Sequence, residues 1–246
     1  MRRFFSRPSS RSAPRIPEGV RVYAVGDVHG RADLLAQMLS RIDIHLAQYP
    51  VSRAIEVFLG DYVDRGPDSN QVIDLLAKRG RTREAMCLKG NHETYIFDFL
   101  NNPTSLDHWR QFGGYETLLS YGLKPPIRTD TFERRELARS FAKALPGTHR
   151  EFLSGLKTTF TCGDYLFVHA GIKPGVPLDL QQEEDLLWIR DDFLLSEENF
   201  EKYIVHGHTP VREPDVRHNR INIDTGAYAT GKLTCVVIEK GEASVL

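Results

Sequence analysis

Five short blocks of this 246-residue sequence gather the side chains that could do chemistry. In chain order they are Gly26-Asp27-Val28-His29-Gly30, Gly60-Asp61-Tyr62-Val63-Asp64-Arg65-Gly66, Gly90-Asn91-His92-Glu93, His169-Ala170-Gly171 and His206-Gly207-His208. Carboxylates and imidazoles together suit borderline divalent ions such as manganese, iron or zinc, and the lack of cysteine in the blocks argues against structural zinc. Asp27 and His29 stand two positions apart, so an extended chain points both to one side. The flanking glycines let the backbone turn tightly and approach a small anion.

Each block follows an apolar run of strand-like length. Residues 21–25, 54–59 and 84–89 read as strands, each followed by a polar loop and an apolar helical period: Leu34, Leu35, Met38, Leu39, Ile42 and Leu46, then Val72, Ile73, Leu75 and Leu76, then Tyr95, Ile96, Phe99 and Leu100. Three strand–loop–helix units in succession predict parallel strands with crossover helices. Ligand sites in such sheets lie beyond the carboxyl ends of the strands, where the blocks stand. Residues 101–158 break the pattern with Asn-Asn-Pro and Gly113-Gly114. They read as a helical insertion over one end of the sheet, with Asp130 and Glu133 as a capping box for a helix through Phe141 and Leu145. Further strands are expected at 165–169, 203–206, 220–224 and 233–239. The last two have hairpin-like spacing, which points to a mixed or antiparallel second half.

The five blocks, in this order and spacing, resemble the phosphoprotein phosphatase family of calcineurin-like metallophosphoesterases, and most of all its compact bacterial serine/threonine phosphatases. The match runs from about Val20 to Val237 and is weakest over 101–158. It implies an α/β fold, a β-sandwich of two mixed sheets flanked by helices, as one domain over 20–246 behind a flexible basic tail, 1–19. It also implies two divalent metal ions, with manganese the expected occupant and iron or zinc as others. Asp27, His29 and Asp61 would hold the first, and Asp61, Asn91, His169 and His208 the second, with Asp61 bridging. Two such ions, roughly 3.5–4 Å apart, acidify the water between them, so that hydroxide attacks phosphorus directly. His92 would act as general acid on the leaving oxygen, and Asp64 would orient its ring. Arg65 would grip phosphoryl oxygens in a bidentate fork. Arg190 is the candidate second clamp, and Tyr228 a pocket residue.

Other residues read more plainly. Asp64 alone could cap the helix near Asp68-Ser69. Glu93 is expected to begin a helix, favoured by the macrodipole. His206 is expected to pack or to support the ligands from behind, and His45, His108, His149 and His218, which match no block, read as ordinary surface or core histidines. Trp188 is expected in the core near the site, and Asp191 and Asp192 in solvent.

Charge narrows the partners. Residues 1–15 carry five arginines and no acid, leaving 27 basic against 33 acidic residues in the remainder. A body that acidic makes a poor general nucleic-acid binder, and the tail reads as solvated chain able to touch an anionic surface. Three cysteines, Cys87, Cys162 and Cys235, read as buried reduced thiols of a cytoplasmic protein. No stretch approaches a transmembrane span or a secretory signal. The reading ranked first is a phosphatase of phosphoserine and phosphothreonine in proteins. The alternatives are a hydrolase of dinucleoside polyphosphates such as diadenosine tetraphosphate, or a non-catalytic scaffold. A cyclic-nucleotide phosphodiesterase fits less well, because Pro210 stands where a second histidine is expected.

Overall fold

A computed structural model describes residues 13–126 and 130–246. Three strands open the first sheet: β1 (Val20–Val25), β2 (Arg53–Phe58) and β3 (Ala85–Cys87). They run parallel because a helix crosses over between them: α1 (Ala32–Gln48) joins the first two and α2 (Ser69–Arg79) the next. α3 (Asn91–Asn101) follows β3. Val20–Val25 is buried throughout, since each face of the sheet is covered. Val22 and Ala24 point into the space between two sheets, while Tyr23 and Val25 point at the helices.

The segment expected as an insertion is helical, with α4 (Leu106–Gln111), α5 (Gly114–Ser120), α6 (Thr131–Ala144) and α7 (Gly147–Ser154). Asp130 and Glu133 form the expected capping box, each side chain meeting the other's backbone N–H at 2.8–2.9 Å. Leu106, Trp109, Leu118, Leu137 and Phe141 share one core with α1, α2 and α3. These helices therefore thicken the helical layer on the first sheet.

The second sheet is ordered β4 (Thr159–Cys162), β5 (Tyr165–Val168), β6 (Tyr203–His206), β8 (Arg220–Asn222) and β7 (Asp215–Val216). α8 (Glu183–Trp188) and α9 (Asp191–Leu194) lie between β5 and β6, and Leu186 and Phe193 pack on the outer face of this sheet with Leu166, Val168 and Ile204. After β8 the chain passes through α10 (Ala227–Thr230) and returns to the first sheet as β9 (Cys235–Glu239) and β10 (Glu242–Val245). β9 lies antiparallel to β1, and a two-residue turn at Lys240-Gly241 pairs it with β10.

The architecture is thus two mixed five-stranded sheets flanked by helices. The expected kinship of 220–224 and 233–239 is corrected: they lie in different sheets. Ile221 and Ile223 meet Val236 and Ile238 in the intersheet core, face to face, and alternation of apolar residues cannot tell that from edge pairing. The short strands β4, β7 and β10 had no apolar run to announce them. The expected tail falls largely outside the described residues. Its last part lies on the sheet, with Ile16 buried and its N–H donating to the Lys240 carbonyl. Cys162 and Cys235 are buried and Cys87 half-buried, all free thiols. No helix among the described residues is long and apolar enough to cross a membrane.

Phe167 is wholly buried between the sheets. Phe167→Ala should lower the free energy of unfolding by about 3–5 kcal/mol, read by urea denaturation.

Candidate metal and phosphate site

Three parallel strands of each sheet end at one place. Asp27 and His29 follow β1, Asp61, Asp64 and Arg65 follow β2, and Asn91 and His92 follow β3. His169 follows β5, His208 follows β6 and Asp224 follows β8. The backbone there is strained: His29, Asp61, Asp64, Arg65 and His208 all have φ between +44° and +69°. Among the described residues only one other non-glycine, Lys240, adopts such a value. Left-handed backbone at five clustered polar residues persists only where the surroundings enforce it, a habit of functional sites. Two glycines let the loops close. A Cβ on Gly90 would strike the Asp61 carboxylate, and one on Gly207 would strike that of Asp27.

Asp61 is the centre. Its Oδ2 lies 3.4 Å from His29 Nε2 and its Oδ1 3.4 Å from His169 Nε2, while the His92 backbone N–H donates to Oδ1 at 3.1 Å. Burial opposes its ionisation, yet His169, His92, His29 and His208 together hold its carboxyl below the usual range. Three of the histidines are driven the other way. Burial pushes His29 down to about 3 and His208 down to about 2, and lowers His169 as well. These rings are neutral at neutral pH, the form that ligates metals.

Hydrogen bonds then decide which nitrogen is free. His29 Nδ1 is 2.9 Å from the Val63 carbonyl and His169 Nδ1 2.9 Å from that of Leu59. Each carbonyl takes the ring's single N–H, so each Nε2 turns a bare lone pair toward Asp61. His169 Nε2 also faces Asn91 Oδ1 at 2.9 Å, and His208 Nδ1 approaches the same oxygen at 3.0 Å. Asp27 accepts the His208 N–H on Oδ2 at 3.0 Å, and its buried Oδ1 has no partner. Converging lone pairs and an orphaned carboxylate oxygen fit cations.

By distance alone the two groups able to hold an ion are Asp61, His169 and His208, and His29, Asp61 and His92. His92 belongs to the second group only by proximity. Its Nδ1 is 2.7 Å from Asp64 Oδ2. Burial disfavours its imidazolium, but Asp61 and the Asp64 hydrogen bond outweigh this and raise its pKa. A ring held toward its charged form is a poor ligand and a good acid. Asp27 is therefore the better third member beside His29 and Asp61.

Asp64 is fully buried and is no helix cap. Trp109 Nε1 donates to it at 2.9 Å and Thr117 Oγ1 at 2.6 Å. The helical segment 101–154 thus supplies the brace of the His92–Asp64 pair, a role invisible in a region where the sequence matched least. Arg65 reaches His92 Nε2 at 3.2 Å and stacks over the Tyr228 ring at 4.7 Å. Tyr228 stands edge-on to His29, centroids 5.4 Å apart. Arg190 lies across the site on the His208 side, contacting Thr209 Oγ1 at 3.4 Å.

Two further acids belong to the site. Glu93 does more than favour a helix start: Oε2 accepts from Gly90 N–H at 2.8 Å and Asp61 N–H at 3.0 Å, and Oε1 from Tyr62 N–H at 2.8 Å. One carboxylate thereby ties the β2 loop to the β3 loop. Its place three residues after Gly90, a capping-box position, was the available signal. Asp224 is buried, and burial together with Asp61 raises its carboxyl to about 6, while Gly226 N–H donates to it at 2.8 Å. No spacing singled it out. Trp188, expected in the core, is 39% exposed. His206 packs edge-on against Phe193, as expected.

A family model described as calcineurin-like phosphoesterase matches residues 20–235. The chain belongs to that family, and it is a metallophosphoesterase, a hydrolase. It is 29% identical to the bis(5'-nucleosyl)-tetraphosphatase PrpE [asymmetrical] of Oceanobacillus iheyensis over 87% of each chain. The protein of that name in Bacillus subtilis is 26% identical, over 85% of this chain and 87% of its own. Among solved structures, a candidate diadenosine tetraphosphatase superposes with a TM-score of 0.64, at 21% identity and 92% coverage of both chains. The cold-active protein-tyrosine phosphatase of a psychrophilic Shewanella gives 0.59 at 18% identity, over 94% of this chain and 83% of the other. These two likenesses concern the fold.

If Gly207 is needed for Asp27 to sit where it does, Gly207→Ala should weaken manganese binding about 10- to 100-fold, measured by isothermal titration calorimetry.

Proposed function

We propose that this chain hydrolyses dinucleoside polyphosphates, cutting a tetraphosphate asymmetrically into a nucleoside triphosphate and a nucleoside monophosphate. The observation that carries the reading is the end-to-end match to relatives of that name, over 85–87% of this chain. It reverses the order in which the motif blocks rank the two hydrolase readings, because Asp-Tyr-Val-Asp-Arg-Gly and Gly-Asn-His-Glu serve phosphoryl chemistry without naming the leaving group.

Asp27, His29 and Asp61 would hold one divalent cation and Asp61, Asn91, His169 and His208 a second, which when bound supply Lewis acidity to phosphoryl oxygens and acidify water. Arg65 presents its guanidinium to the phosphoryl group under attack, held in place by Tyr228 on one side and by its own left-handed backbone. Arg190 offers charge from the opposite side, where further phosphates of a polyphosphate chain would lie. A water gives up one proton to solvent as its oxygen bonds to phosphorus and the anhydride P–O bond breaks, and the electron pair leaves on the departing phosphate. His92, whose pKa Asp61 and the Asp64 hydrogen bond raise, gives that oxygen its proton. A departing phosphate is less basic than an alkoxide, so the proton contributes less here than it would for a phosphoserine.

The test is a comparison of kcat/KM, with manganese present, for diadenosine tetraphosphate, a phosphoserine peptide and a phosphotyrosine peptide. A preference for the dinucleotide of 100-fold or more is expected; a preference for phosphoserine restores the protein phosphatase reading. For the acid, His92→Asn should lower kcat on the dinucleotide by about 10²-fold with manganese stoichiometry unchanged, and undiminished kcat removes that role.

A further inference from the structure

We infer that Trp188 is the stacking platform for a nucleobase of the substrate and so selects nucleotides over base-free phosphates. This rests on the dinucleotide reading and adds a residue that specifies it. Trp188 is the last residue of α8 and 39% exposed, an uncommon state for a large apolar ring. Its place is held nonetheless: Tyr95 meets it at 5.9 Å and 77°, and His208 at 6.4 Å and 80°. Tyr95 is itself stacked on Phe112. Both contacts are edge-on, so among the described residues no ring lies parallel to the indole. The ring is positioned beside a candidate cation ligand, and its stacking capacity is unused.

The surroundings select what stacks there. Trp188 lines an open cavity of about 370 Å³ with Ile189, Arg190, Glu184, Asp185 and Asp191. Arg190, through its contact with Thr209, ties this cavity to the His208 loop. The carboxylates of Glu184, Asp185, Asp191 and Asp192 line the same cavity and can accept from the amino groups of a base. A polyphosphate crossing Arg190 would thus deliver its nucleoside to the indole. Tyr228, equally exposed on the His29 side, is the weaker candidate because the Arg65 guanidinium already covers its ring. Base–aromatic stacking tolerates any base, since every base has a π-face.

The experiment measures kcat/KM for diadenosine tetraphosphate and the Ki of inorganic tripolyphosphate, a base-free competitor, with manganese in excess. Trp188→Ala should lower kcat/KM about ten- to a hundredfold and leave the Ki within about twofold; Trp188→Phe should recover most of the loss. ATP should quench the indole emission of the wild type, and Trp188→Phe should lose that quenching, because the other tryptophan, Trp109, is buried against Asp64. A parallel rise of the Ki makes Trp188 a structural support and overturns the inference, as does an unchanged kcat/KM in Trp188→Ala. A wild-type enzyme that prefers phosphoserine to the dinucleotide overturns the underlying reading, and the inference with it.

Discussion

The structure depends on one carboxylate surrounded by imidazoles. Asp61 is buried, as are His29, His92, His169 and His208 around it, and among the described residues no lysine or arginine makes an ion pair with it. A buried carboxylate facing three neutral histidines is costly unless something positive completes it, and only His92 among the four rings is shifted toward its charged form. Folding brings the group there by force of geometry: six parallel strands, three from each sheet, end around it, and five of the residues at those ends take left-handed backbone.

Four histidines of one residue type acquire two different characters within a few ångströms. Backbone carbonyls of Val63 and Leu59 fix the tautomers of His29 and His169, and burial keeps those rings neutral. His92 has a carboxylate where they have carbonyls, and with Asp61 that Asp64 hydrogen bond turns its shift upward. Ligand and acid are distinguished by what hydrogen-bonds to the far nitrogen, a distinction that no local motif carries.

The sequence made much of the candidate site legible because its candidate ligands follow strands directly. Asp27, His29, Asp61, Asn91, His169 and His208 each stand one to three residues past an apolar run or within a glycine-flanked block, so type and position coincide. Supporting residues lacked that coincidence. Trp109 and Thr117 lie in a helical stretch where tryptophan and threonine are ordinary, and only the folded chain brings them to Asp64. Glu93 looked like a helix start because it is one, and its second task depends on the β2 loop lying against it. Trp188 showed the opposite limit: an apolar neighbourhood, Leu186-Leu187, predicts burial, but the helix ends at that residue and turns it outward. In the fold, parallel order followed from the crossover helices, whereas the passage of the chain from β8 back to β1's sheet left no trace in local composition.

Asp64 is reached by two helices that hold none of the candidate cation ligands. The groups that would set Lewis acidity come from strand ends, and the groups that set Brønsted acidity come in part from α4 and α5. The two kinds of acid can therefore drift independently. A lineage that rebuilt the helical layer would retune the proposed proton donor, His92, and with it the range of leaving groups, while inheriting its inorganic chemistry intact.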